Sequence, residues 1–235
     1  MDILSGNWED LRNNVKRCGF TDCPRNRDKT PIFFERGEGS LSKVKFLVLS
    51  QEPGANLRNE VPSGNPDEIE DYLIGGCEEV GPAGNSPVNK IVKIFCHNFS
   101  PSTDEIYWTH ALKCVPQTSN HQIKSDWGGG SKYCEQHLIN ELKLLPNLEW
   151  IVTLGKYAFK LIKRVGRFNH EFPDGIKKVL AEVKNGQEFL FQNRKLLVFP
   201  FLHPANENRN HTELTRENEK RLIQEIRTIL KKECF

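Results

Sequence analysis

The sequence predicts an α/β fold, a three-layer αβα sandwich around a central, mostly parallel four-stranded sheet. Two observations predict it. Four short apolar runs rich in β-branched and aromatic residues recur along the chain, and most end at Gly, Pro or a polar residue. Segments with helical apolar periodicity lie between them, and such alternation gives parallel strands with helices covering both faces of the sheet. The 235 residues are expected to form one domain, 1–235, and 37% hydrophobic residues suffice for its core.

The first strand is "VKFLVL" (44–49). A helix follows over "NSPVNKIVKIFCHNF" (85–99), with Val88, Ile91, Val92 and Phe95 on one face. The second strand is "IYWTHALKC" (106–114). Residues 115–131, "VPQTSNHQIKSDWGGGS", read as a long loop, as do 203–211 and part of 55–84. "SKYCEQHLINELKLL" (131–145) is helical, with Tyr133, His137 or Leu138, Leu142 and Leu145 on one face. "EWIVTLG" (149–155) is the third strand, "KYAFKLIKRV" (156–165) the next helix, and "KLLVFPFLHP" (195–204) the fourth strand. The final helix, 212–232, carries Leu222, Ile223, Ile226, Ile229 and Leu230 on a stripe. There is no internal repeat and no low-complexity segment.

Composition narrows the function classes. No run of about 18 apolar residues exists, so no membrane span and no membrane partner are expected. The first residues lack the basic start and apolar stretch of a secretory signal, so a cytoplasmic, nucleoid-associated protein is expected. The net charge of +2 hides an asymmetry: from residue 151 onward the chain carries 17 Lys/Arg against 10 Asp/Glu. A basic C-terminal part suits a polyanionic partner or a solvated surface. Seven cysteines, an odd number, cannot all pair within the chain, and disulfides are disfavoured in a reducing compartment. Metal ligation and buried thiols remain. The absence of G-x-S-x-G and of a P-loop argues against a hydrolase elbow or a nucleotide site.

In a parallel sheet the carboxyl ends of the strands converge on one edge, where α/β proteins place their chemistry. The first strand runs into "SQEPG" (50–54), an amide and a carboxylate ahead of a stiff Pro-Gly. The second offers His110 and then Cys114, the third Gly155 ahead of a helix, and the fourth "HPANENRNH" from His203. Gln51, Glu52, His110 and His203 are therefore expected to share a cleft.

"SQEPG" (50–54), "THALKC" (109–114), "WIVTLG" (150–155) and "LHPAN" (202–206), in this order and spacing, resemble the uracil-DNA glycosylase superfamily. The nearest branch resembles family 4, the iron–sulfur uracil-DNA glycosylases, over roughly residues 15–232. The resemblance implies a DNA repair enzyme that flips out uracil or a related deaminated base and hydrolyses its N-glycosidic bond. DNA, double- or single-stranded and containing a damaged base, would be the partner of a monomeric protein. Family 4 holds a [4Fe–4S] cluster with four cysteines, and Cys18, Cys23, Cys114 and Cys134 fall at the corresponding places. Four cysteines alone suit zinc equally; the resemblance favours the cluster. Its role would be structural.

The resemblance also assigns roles. The His of the last motif faces uracil O2, which falls on His203. Family 4 has Glu-Ala before the Pro-Gly, whereas this chain has Gln51 and Glu52. Family 1 has Gln-Asp-Pro there, so Glu52 takes the water-positioning place and Gln51 lines the pocket. Pro53 and Gly54 fix the turn and let the backbone come close. His110 replaces the family's base-reading Asn, and Glu79 replaces the Phe that stacks on the base. These departures point to an altered lesion preference, or to a diverged DNA-binding protein without catalysis. In the loop after His203, Asn206, Asn208 and Arg209 are the candidates for contact with DNA, and Lys156 and Lys160 near the start of the helix over 156–165 are further phosphate candidates.

Overall fold

The computed structural model describes residues 8–20, 23, 41–51, 105–114, 126–173, 179, 186–201, 220 and 224. Three helices in it are α1 (Trp8–Lys16), α2 (Asp126–Lys143) and α3 (Lys156–Val165). The strands are β1 (Phe46–Ser50), β2 (Ile106–His110), β3 (Trp150–Leu154), β4 (Arg167–Phe168), β5 (Gln187–Phe191) and β6 (Arg194–Phe201).

These strands form one sheet in the order β2-β1-β3-β6-β5-β4. Neighbours from β2 to β6 run parallel. They are the four strands the sequence predicts. The sheet nevertheless has six strands, not four, because β5 and β4 extend it antiparallel beyond β6. The β5–β6 hairpin closes in two residues, with Phe191 opposite Arg194 and Gln192 at φ 54. Such turns usually advertise themselves with Asn-Gly or Asp-Gly; Gln192-Asn193 does not, and the strand before it escaped sequence reading.

Every residue of β1, β2 and β3 is buried, as expected for strands covered on both faces. Phe46 stacks on Trp150 at 4.4 Å between ring centroids, across the β1–β3 pair. Helix α1 buries Trp8, Leu11 and Val15, and Trp8 meets Tyr107 of β2 edge-on at 5.2 Å. Helix α1 packs on α2, and α2 on α3, which also lies against β3. These three build one helical layer. The helices expected at 85–99 and 212–232 lie outside the described residues, apart from Lys220 and Gln224.

Two boundaries differ from expectation. Strand β2 stops at His110 rather than reaching Cys114: the amides of Ala111 and Leu112 turn to the carbonyls of Ser50 and Gln51 at 2.8 and 2.9 Å. Helix α2 begins at Asp126, inside the segment read as loop. Its first turns include Gly128, Gly129 and Gly130, each unfavourable in a helix by about 0.8–1.0 kcal/mol relative to Ala, and twelve residues of strong helix pattern outweigh them.

Candidate functional site

The carboxyl ends of the four parallel strands are level. His110 stands opposite Ser50, Leu49 opposite Thr153, and Leu154 opposite Phe201. The chain passes from β1 to β2 on one side, and β3 lies on the other side of β1. The crevice between β1 and β3 is thus the topological switch point, where open α/β sheets bind ligands. Gln51 leaves β1 at this point and Gly155 leaves β3.

Gly155 has φ 91, a backbone conformation that favours glycine, and its amide donates to the Phe201 carbonyl at 2.7 Å. It caps α3 without a side chain. The Tyr157 amide in that first turn instead reaches Gln51 Oε1 at 3.5 Å, the outer limit of a hydrogen bond. Gln51 is half-buried, and its carbonyl accepts from Leu112. It therefore ties β1, β2 and α3 together at the edge of the crevice. Lys156, the first residue of α3, is exposed beside it.

His110 is buried, with its ring 5.4 Å from that of Trp108. Trp108 Nε1 donates to Ser50 Oγ at 3.2 Å, and that hydroxyl donates to the Thr109 carbonyl at 3.3 Å. Three polar groups thus share one face of β1 and β2 at the carboxyl edge. Glu52, Gly54, Glu79, His203, Asn206 and Arg209 lie outside the described residues.

The opposite face of β2 carries a network that sequence reading missed. Glu141 of α2 and Lys113 are both buried, and Lys113 Nζ donates to Glu141 Oε1 and Oε2 at 2.7 and 2.6 Å. Tyr107 and Thr109 donate their hydroxyls to Oε1, each at 2.8 Å, and Lys113 also donates to Thr109 Oγ1. A buried carboxylate with this many donors is fully satisfied. The signal was present: Glu141 lies three residues after Leu138 and four before Leu145, on the apolar stripe of α2.

Beside this network lie the cysteines. Cys134 is buried on α2 against Leu112 and Tyr157. Burial pushes its thiol up to about 12, opposed by the Lys113 backbone N–H that donates to it and by the Lys113 charge. Burial also raises the Cys18 thiol, opposed by a donor from the Phe20 backbone. Cys18 and Cys23 are near enough to Cys134 to disfavour its thiolate, and Cys23 likewise acts on Cys18. Cys114, half-buried, directly follows the residue that donates to Cys134.

The sequence marks His137 only as an alternative to Leu138 on the apolar face of α2. This residue sits one turn after Cys134 on α2 and is 7% exposed. Its ring meets Phe20 edge-on at 6.2 Å. Burial, then the Lys113 charge, lowers its pKa to about 4, so the imidazole is neutral at pH 7. Among the described residues its Nε2 has no hydrogen-bond partner.

None of the curated proteins matches this chain. The family model of the uracil DNA glycosylase superfamily matches residues 36–227. That span contains all six strands, α2 and α3, with Cys114 and Cys134, and begins after Cys18 and Cys23. By this match over most of its length, with the level strand ends of its parallel sheet, the chain belongs to the uracil DNA glycosylase superfamily.

Proposed function

We propose that this chain is a DNA glycosylase that removes uracil or a related deaminated base and leaves an abasic site. The observation that carries the reading is the superfamily match over 36–227, which spans the parallel sheet and its switch point. Reaching the glycosidic bond requires the nucleotide to be flipped out of the stack into a pocket. In this reading the pocket opens at the crevice beside Gln51, with Gly54 permitting close backbone approach. Glu52 orients the attacking water toward the developing oxocarbenium ion. His203 stabilises the negative charge that builds on the departing base. Arg209, Asn206 and Lys156 contact the DNA, of which the phosphates supply most of the affinity.

The cysteines belong to the same reading. The donor set suits a group that takes thiolates: Cys18 and Cys23 act electrostatically on Cys134, Cys114 directly follows Lys113, and backbone N–H groups point at two of the sulfurs. A neutral imidazole with an orphaned Nε2 lies one turn from Cys134. Cys18, Cys23, Cys114 and Cys134 would hold a [4Fe–4S] cluster, with zinc the alternative occupant. When bound, the group supplies cross-linking rather than chemistry at the base. The chain's own part is to present sulfurs from the α1 end, the β2 end and α2 to one point.

A second reading, a DNA-binding protein of this fold without catalysis, draws on His110. It is buried against Trp108 where the family carries a base-reading amide, and an imidazole lacks the amide's paired donor and acceptor. Oligonucleotides containing uracil, hypoxanthine or xanthine, in single and double strands, separate the two. Alkali-labile product from one of them is the expected result. Tight binding to all of them without any product would establish the second reading instead.

A further inference from the structure

We propose that His137 donates its Nε2–H to a sulfur of the cysteine-held iron–sulfur group, and so positions and retains that group. The inference rests on the cluster reading given above. Its basis is a juxtaposition. Cys134 and His137 stand three residues apart on α2, so they share a helix face. Phe20, which lies between Cys18 and Cys23 and donates its N–H to Cys18, meets the His137 ring at 6.2 Å. Lys113, whose N–H points at Cys134, also acts electrostatically on His137. His137 thus shares a helix with one candidate ligand, meets the segment between two others and senses the residue before the fourth.

A buried polar atom without a partner is costly, and native structures seldom leave one. His137 Nε2 is such an atom among the described residues, in a residue 93% buried. Its neutral ring has one N–H to give. A sulfur-rich group beside it supplies the acceptor. Partners of this kind around a metal-bound group typically change its retention 10–100-fold. Hydrogen bonds to the sulfurs also set its reduction potential.

The test compares the holoprotein with His137→Leu and His137→Gln, all purified anaerobically. Iron and sulfide are assayed first, then the rate at which a chelator bleaches the visible chromophore, then the midpoint potential by mediated titration. His137→Leu is expected to bleach about tenfold faster and to shift the midpoint to more negative potential. His137→Gln keeps an N–H near the Nε2 position and is expected to restore both values to near wild type. A pure packing role gives the opposite order, because Leu fills a buried site better than an amide. Gln behaving as badly as Leu, or all three proteins behaving alike, overturns the role of His137 while leaving the cluster intact. Wild-type protein without iron and sulfide overturns the cluster reading, and the His137 inference with it.

Discussion

The buried Lys113–Glu141 pair offers the sharpest test of how the site is held. Lys113→Met removes the charge and keeps much of the stem. Glu141, 0% exposed, then retains only the Tyr107 and Thr109 hydroxyls and loses both of its charged hydrogen bonds. Breaking a buried pair from one side typically destabilises by about 3–5 kcal/mol, because the remaining charge stays buried without compensation. For a chain of this size each kcal/mol moves Tm by roughly 2–4 °C, so a loss of roughly 6–20 °C is expected. Glu141→Leu should cost a similar amount, since Lys113 keeps only Thr109. The double variant Lys113→Met/Glu141→Leu removes both charges and orphans two hydroxyls at about 1–3 kcal/mol each. It should therefore be little worse than either single variant, with a coupling energy of about 2 kcal/mol or more. Urea unfolding followed by far-UV circular dichroism measures all four proteins. Strict additivity with single effects below about 1 kcal/mol would refute the reasoning, because that is the behaviour of an exposed pair.

Cys18→Ala and Cys134→Ala should each lose bound iron, whereas Cys77→Ala should keep it; metal analysis of the three decides, and full iron in either of the first two sinks the ligand set. Gly166→Ala should destabilise by about 1–3 kcal/mol, since its Cβ would lie 2.8 Å from the Leu190 carbonyl and into the Phe189 ring; an unchanged urea midpoint would show that the β4–β5 pairing gives way freely. Glu52→Gln and His203→Ala should each slow single-turnover cleavage by at least about a hundredfold without abolishing binding to abasic DNA. Severe loss in Gln51→Ala with a nearly silent Glu52→Gln would reverse the roles of the two neighbours. Binding should weaken steeply with salt, at about −0.9 in log–log slope per phosphate contact, and Arg209→Ala should flatten that slope or lower the affinity; salt-independent binding would remove the phosphate groove.

The parallel part of the sheet was legible because its strands are buried on both faces and so read as uninterrupted apolar runs. Strand β5 was not, because its exposure alternates: Glu188 and Leu190 are exposed while Phe189 and Phe191 are buried. Its turn also lacks the glycine that marks a two-residue hairpin. The start of α2 was hidden by three glycines that argue locally for a loop, a preference that the packed remainder of the helix overrides. The cysteine assignment came from the family resemblance, not from spacing. Lys113, Glu141 and His137 were opaque for a different reason. A buried polar residue is identified by its partners, and Glu141's lie on β2 and just beyond it, about 30 residues earlier. Glu141 left a trace as a carboxylate on an apolar stripe, and His137 as an alternative to Leu138 on the same face.

Strand β2 connects the cysteines to the crevice by alternation alone. Successive side chains point to opposite faces, so Tyr107 and Thr109 reach Glu141 while Trp108 and His110 face away with Ser50. A slip of one residue would exchange the two sets and place an indole against a buried carboxylate. Three constraints oppose that slip. The parallel pairing with β1 fixes the register, the amides of Ala111 and Leu112 bind the end of β1, and Lys113 locks onto α2. The last of these also sets the N–H that faces Cys134. Holding the cysteine side of β2 therefore holds His110 at the other face, with no need for charge or electrons to pass between them. In the proposed reading, a structural cross-link at the end of such a strand would act on a base pocket through backbone position.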